Sequence, residues 1–258
     1  MPHAEISKTQ ENLAIVVMAA GKGTRMNDPS RAKVMYEVLG KPMVQYVVDL
    51  AKIVGAKRTV VVVGYQRETV SGYLHRADPD VEVAVQAEQL GTGHAVMQTE
   101  PLLKNFPGNI LVLSGDVPLL TPETVQELLA YHTATSADAT VLTAVFEDPV
   151  GYGRMVRNAD GTVQKIVEQK DATEEERKIR EINSGIYVFD AENLFEGLRH
   201  VTTDNAQREY YLTDVFRYFW RNNLPVSAVV AGDPLEVGGI NTPGQLEEAR
   251  RILSVGGS

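Results

Sequence analysis

The sequence predicts an α/β fold: a doubly wound, mostly parallel sheet with a smaller β-rich lobe. Three observations predict it. The apolar runs Leu13–Ala19, 59–63 and Asn109–Ser114 show no polar alternation, as strands covered on both faces do. Segments with helical apolar spacing lie between them, which argues for parallel strands joined by crossovers. Near residue 147 the texture changes to short strand-like pairs separated by Asn, Asp and Gly.

Taken in order, residues 1–12 are polar and read as a mobile leader. Leu13–Ala19 is too short to span a membrane and reads as a buried strand. It stops at Ala20, Gly21, Lys22, Gly23, Thr24 and Arg25. Glycines there allow a sharp turn, and backbone N–H groups freed by such a turn favour anions. A phosphate cradle and a plain tight turn both fit that stretch. It is not a P-loop, and Met26 stands where the third glycine of a dinucleotide fingerprint belongs. The loop continues through Asn27 to Lys33.

Lys41-Pro42 reads as a helix start with apolar residues along one face, closed by Gly55. A strand at 59–63, a helix at 66–75 and a strand at 81–85 follow. Gln86 opens a polar loop before a helix, with Thr92 as its N-cap. Asn109–Ser114 ends in Ser114-Gly115-Asp116, a carboxylate at the end of a strand where α/β sheets place ligand chemistry. Thr121-Pro122-Glu123 has the marks of a helix start. Residues 139–146 form the next strand.

Beyond it, 151–157 and 162–169 read as a hairpin turning at Asn158-Ala159-Asp160-Gly161. The charged run 170–181 reads as a solvated helix, and Asn183-Ser184-Gly185 precedes a strand at 186–189. Thr213 is placed as the cap of another helix. A strand at 225–231 leads to a last helix that starts at Thr242-Pro243 and ends before Gly256. One domain over 13–254 is expected, with parts at 13–146, 147–241 and 242–254.

Composition narrows the function classes. The chain has 258 residues and no cysteine, which excludes disulfides and thiolate metal sites. A net charge of −9 with no basic face argues against nucleic acid as a partner, and no segment reads as membrane-spanning. Any polyanionic ligand must meet a few clustered cations, of which Arg25 and Lys33 are the first candidates. His94 has no histidine partner at metal spacing and is assigned a structural role.

Several loops occurring in order carry a resemblance. They are Ala19-Ala20-Gly21-x-Gly23-Thr24-Arg25-Met26, Lys33-Val34, Gln86-x-x-Gln89-Leu90-Gly91-Thr92-Gly93-His94, Gly115-Asp116-x-Pro118-Leu119, Gly151-Tyr152-Gly153-Arg154, Ile166-Val167-Glu168, Asn183-x-Gly185, Asn205-Ala206-Gln207-x-Glu209-Tyr210-Tyr211-Leu212-Thr213-Asp214 and Gly239-Ile240-Asn241. Together they resemble the sugar-1-phosphate nucleotidyltransferases, which have a Rossmann-like fold. Within these they are most similar to the uridyltransferase half of the bacterial bifunctional enzymes that make UDP-N-acetylglucosamine, a peptidoglycan precursor.

The resemblance implies roles. Met18, Ala19, Ala20, Gly21, Gly23, Thr24, Ser114 and Gly115 would bind the nucleotide, with Gln86, Gly91 and Thr92 reading uracil. A carboxamide offers both donor and acceptor to uracil's imide edge. Arg25, Lys33 and Asp116 would be catalytic. Asp116 and Asn241 would hold Mg²⁺, and Gly153, Glu168, Asn183 and Asn241 would face the sugar. The implied reaction is attack by the phosphate of N-acetylglucosamine 1-phosphate on the α-phosphorus of UTP, releasing pyrophosphate. A phosphate monoester has a second pKa of about 6, so this nucleophile needs no general base. Glucose 1-phosphate or another sugar phosphate would serve the same chemistry, and a non-catalytic nucleotide-sugar sensor is the reading from a different class. The implied location is cytoplasmic, and the sequence leaves the oligomeric state open.

The sequence departs from the family in three places. Ala32 stands where a proline usually precedes the lysine, which predicts a looser Lys33. Gly238-Gly239 stands where one glycine follows a larger residue, which predicts a looser Asn241 loop. No hexapeptide repeats of the left-handed β-helix follow, so acetyl transfer is not expected.

Overall fold

Strand β1 (Leu13–Ala19) lies inside the sheet, and all but one of its residues are buried. The structure, a computed structural model, describes residues 12–26 and 28–256. The expected leader lies outside those residues apart from Asn12, and so does Asn27. After β1 come a short hairpin of β2 (Glu37–Val38) and β3 (Lys41–Pro42), then α1 (Met43–Ile53). β4 (Arg58–Val63), α2 (Arg67–Ala77), β5 (Glu82–Val85), α3 (Thr92–Met97) and α4 (Glu100–Leu103) follow. Next are β6 (Asn109–Ser114), α5 (Pro122–Ala134), β7 (Ala139–Val145), β8 (Gly153–Arg157) and β9 (Val163–Val167). The chain continues with α6 (Glu174–Arg177), β10 (Glu181–Asp190), α7 (Ala191–Leu198), α8 (Val215–Arg221), β11 (Val226–Val230) and α9 (Pro243–Gly256).

One nine-stranded sheet runs in the order β11-β7-β10-β6-β1-β4-β5, with the β8–β9 hairpin attached through β10. β1 pairs in parallel with both β4 and β6. β10 is antiparallel to β6 and to β7. The doubly wound α/β expectation therefore holds, with one antiparallel strand inserted. The β-rich lobe is not a separate sheet, because its long strand β10 lies between strands of the first part.

Alternate residues of β1 feed two cores. Ile15 and Val17 meet the apolar faces of α1, α2 and α5 on one side. Ala14 and Val16 meet α3, α7 and α8 on the other, where Phe189, Phe216 and Phe219 cluster. Burial on both faces explains why these strands read as unbroken apolar runs.

Several local expectations are corrected. Lys41-Pro42 pairs with Glu37–Val38 as a hairpin, and the helix begins only at Met43. The run 170–181 forms one turn, because Glu181 is drawn into β10 to ion-pair with Arg157. Asn183-Ser184-Gly185 lies inside β10 as a bulge rather than before it. The last helix runs on to Gly256. Helix α7 went unread; Asp190 caps it by accepting from the Asn193 N–H at 2.9 Å. Thr121 does cap α5, by accepting from the Thr124 N–H.

His132 of α5 is buried, with its Nδ1 2.8 Å from the Thr140 hydroxyl. Burial pushes its pKa from 6.5 down to about 4, against a smaller upward pull from Asp190. The unfolded chain therefore takes the proton first as pH falls. This group's contribution to stability is complete above pH 6.5 and is lost between 6.5 and 4, up to about 3 kcal/mol. Chemical melts across that window should show the loss, and His132→Asn, which does not titrate, should flatten the slope.

Candidate active site

β1 and β6 are neighbours, while β4 and β5 lie on the other side of β1. The strand order reverses there, and in open α/β sheets the crevice beyond the carboxyl ends at such a point takes ligands. Met18 pairs with Ser114, and the Gly115 N–H donates to the Met18 carbonyl at 2.9 Å. The loops that begin at Ala20 and at Gly115 therefore leave the sheet side by side.

Lys33 enters from the far end of the first loop. Its stem lies against Gly23, which has φ of +63°, and a Cβ at Gly23 would come 2.5 Å from the Lys33 Cβ. Only glycine suits both the backbone and that contact. The Lys33 ammonium donates to Asp116 Oδ2 and, at 3.0 Å, to Asn241 Oδ1. Arg25 Nη2 donates to the same Asn241 oxygen at 2.7 Å. Arg25 and Lys33 of the first loop thus converge with Asp116 and Asn241 of two others.

The two expected points of looseness are both tied down. Ala32 has φ of −62°, already in the proline range, and its N–H donates to Gln66 Oε1 at 2.9 Å. Gln66 Nε2 donates to the Pro29 carbonyl at 3.0 Å, and the Tyr65 hydroxyl reaches the same oxygen at 2.6 Å. A side-chain clamp therefore holds the segment that a proline would stiffen. On the Gly238-Gly239 side, Ile240 N–H donates to the Asp116 carbonyl at 2.9 Å, and Asn241 N–H donates to Gln245 Oε1 at 2.8 Å.

A cleft of about 300 Å³ opens above these groups. Met18, Ala19, Ala20, Gly21, Lys33, Gln86, Gly91, Thr92, Ser114 and Asp116 of the sequence-selected residues line it with Val34, Gln89, Ala95 and Glu209, while Arg25, Asn241, Gly153, Glu168 and Asn183 are not in its lining. Gly23 and Thr24 line a neighbouring cavity with Asp28 and Tyr65 instead. Gly115 is not among the lining residues, its N–H being spent on Met18. Thr92 does not cap α3: the cap position is Gly91, and the Thr92 hydroxyl accepts from the Leu212 N–H at 3.0 Å.

The second side of the site rests on β10. Gly153 pairs with Asn183 across β8 and β10, and Glu168 Oε2 lies 3.4 Å from where a Gly153 Cβ would be. Glu168 accepts from the Thr213 hydroxyl at 3.0 Å, so Thr213 is a cross-link and not the helix cap. Burial raises the Glu168 pKa, and Asp171, Asp214 and Glu209 add to the rise. Asn183 is buried and donates to the Tyr187 hydroxyl at 2.7 Å. Gly185 lies beside Ser114, which joins this side to the cleft. Tyr152 is a member the sequence reading missed. Burial raises its phenol pKa, followed by the nearby Asp116 charge. Its only sequence signal was the Gly151-Tyr152-Gly153-Arg154 motif itself.

The Asp116 and Asn241 oxygens already surround a positive charge, the Lys33 ammonium. Two hard oxygens around a cation position suit a divalent ion whose remaining ligands come from elsewhere. Among the described residues no group of three or more His, Cys, Asp or Glu could hold a metal. Among the described residues no helix is long and apolar enough to cross a membrane.

The profile of the family "Nucleotidyl transferase" matches residues 14–241. The "Bifunctional protein GlmU" of Geobacillus sp. is 50% identical over 92% of this chain and 51% of its own length. The one from Geobacillus thermodenitrificans is 51% identical over the same shares, and that of Pelotomaculum thermopropionicum is 46% identical over 94% of this chain and 52% of its own. The chain thus spans about half the length of these relatives. A solved UDP-glucose pyrophosphorylase complexed with UDP-glucose superposes with a TM-score of 0.76 at 18% identity, over 95% of this chain and 99% of that one, and shares the fold.

The Gln66 clamp makes a measurable contribution. Gln66 sits at φ of +49°, which asparagine tolerates, but asparagine is too short to reach Ala32. Gln66→Asn should therefore lower stability in denaturant melts by about 1 kcal/mol, the net worth of a hydrogen bond. Adding Ala32→Pro should recover part of the loss, because the backbone there already has proline's φ.

Proposed function

The chain belongs to the nucleotidyl transferase family, and from that premise we propose that it joins UTP to N-acetylglucosamine 1-phosphate, giving UDP-N-acetylglucosamine and pyrophosphate. The observation that supports the reading is that Lys33 and Asp116 share one crevice with Gln86 and Gly91, and that Asn241 and Arg25 are hydrogen-bonded to the same cluster. The identity of about half its residues to GlmU proteins supports the choice of nucleotide and sugar.

In this reading the sugar phosphate attacks the α-phosphorus directly, and pyrophosphate leaves on the opposite side. The protein aligns the two anions and offsets charge; it supplies no nucleophile. Lys33 and Arg25 provide fixed positive charge beside the reacting phosphates, in a chain of net charge −9. The glycine loop after β1 offers backbone N–H groups to the triphosphate. Gln86 and Gly91 read the base from the end of β5. Glu168, Asn183 and Gly153 take the sugar from the β8–β10 side. Asp116 and Asn241 would hold Mg²⁺, which when bound neutralises phosphate charge. The nucleotide side corresponds to residues 13–146, the sugar side to 147–241, and 242–254 packs as the closing helix. A cytoplasmic location belongs to the same reading.

Pyrophosphate release, measured over a panel of nucleoside triphosphates and sugar 1-phosphates with and without Mg²⁺, tests it. UTP with N-acetylglucosamine 1-phosphate should be the best pair. Release with no pair overturns the enzyme reading, and a preference for glucose 1-phosphate overturns the sugar. Asp116→Ala should lower kcat at least about a hundredfold, the scale of losing a main charge stabiliser; near-normal turnover would remove Asp116 from the metal site.

A further inference from the structure

We infer that His94 is a positioning residue for base selection: together with the Gly91 carbonyl it holds the Gln86 carboxamide with its oxygen toward the nucleotide. The inference rests on the uridyl reading above and deepens it.

Gln86 is held from every side except one. Its backbone N–H donates to the Val63 carbonyl at 2.8 Å, and only 3% of the residue is exposed. Its side-chain nitrogen lies 3.0 Å from the Gly91 carbonyl and 3.1 Å from His94 Nδ1. A carbonyl oxygen only accepts, so the amide atom facing Gly91 must be the NH₂. Its second hydrogen then points to His94, whose Nδ1 accepts and whose proton sits on Nε2. Both donors are spent inside the protein, so of the donor and acceptor expected from the sequence only the acceptor is left for the base. Gln86 Oε1 has no protein partner among the described residues, and Gln86 lines the cleft.

The Gly91 carbonyl cannot drift away from this arrangement. Gly91 has φ of +112°, and a Cβ there would come 2.5 Å from the Tyr210 carbonyl. The Tyr210 N–H donates to the Leu90 carbonyl and the Gly93 N–H to that of Tyr210, each at 2.8 Å. His94 rides on the same helix start, with its ring centroid 6.0 Å from that of Tyr210.

The cleft therefore presents an acceptor to the base. Uracil offers a ring N–H at its imide edge and pairs with it. Cytosine offers a bare ring nitrogen in the same place, so two acceptors would face each other. Cytosine could be accommodated only if the amide turned over. That would set Oε1 against the Gly91 carbonyl and force the His94 proton from Nε2 to Nδ1. Uridine selection at Gln86 is thus divided between a backbone carbonyl and His94. The Gln86 side chain by itself, free to turn over, would accept either base.

The test compares kcat/KM for UTP and CTP in the wild type, His94→Phe and His94→Asn. Phenylalanine keeps the ring and loses the acceptor; asparagine places an oxygen near the Nδ1 position. The UTP/CTP ratio should fall about tenfold in His94→Phe, the scale of one hydrogen bond. The loss should appear in KM for the nucleotide, while KM for the sugar phosphate stays as the internal control. His94→Asn should restore most of the ratio. If the phenylalanine variant does not melt cooperatively, His94→Ala takes its place in the same comparison. An unchanged ratio in the acceptor-free variant, or an equal fall in His94→Asn, overturns the role of His94 and leaves the uridyl reading standing. A wild type with no preference for UTP overturns both.

Discussion

The ammonium of Lys33, set between Asp116 and Asn241, is the contact on which the site depends. Its partners lie 83 and 208 residues away along the chain. It ties the loop after β1, the end of β6 and the loop before α9 to one point. Taking such a pair out of water costs about as much as the attraction returns, so its contribution is position more than stability. In an acidic chain it also concentrates positive charge where phosphate has to sit. Gly23 lets the lysine stem lie against the first loop, and the Gln66 clamp fixes the approach from behind.

The sheet explains how the other half of the site arrives. β10 runs against its neighbours and lies between β6 and β7, which brings Asn183 and Gly185 to the end of β6. The bulge there would strand backbone groups, but Ser184 resolves it. Its hydroxyl donates to the Leu142 carbonyl at 2.6 Å and accepts from the Ile186 N–H at 3.1 Å. The β8–β9 hairpin hangs from the same strand and carries Gly153, and Glu168 follows it. A stretch far along the chain thereby reaches Ser114 at the edge of the cleft, through Gly185.

Threonines illustrate where local reasoning stops. Thr121, Thr92 and Thr213 all precede or open helical segments and look alike as caps. Thr121 is one. Thr92 instead accepts from Leu212, and Thr213 donates to Glu168. A hydroxyl goes to whichever partner the fold brings within reach, and for two of the three that partner lies across the molecule. The charged run 170–181 failed as a helix for the same reason, since Arg157 holds Glu181 in β10.

Much of what depends on near neighbours was legible in the sequence, although helix α7 and the β2–β3 hairpin are local too and were not read. The buried strands showed as β-branched runs because both faces are covered, and the glycine loop and Asp116 marked strand ends because turns there demand those residues. The motif order carried the family and most of the cleft lining. Tertiary structure alone decided that Arg25 reaches Asn241, that Gln66 does the work of a missing proline and that Tyr152 joins the site. It also decided which face of the Gln86 carboxamide looks outward. Those depend on atoms brought together across the sheet, and a carboxamide's direction is set by its neighbours' lone pairs, which residue order does not record.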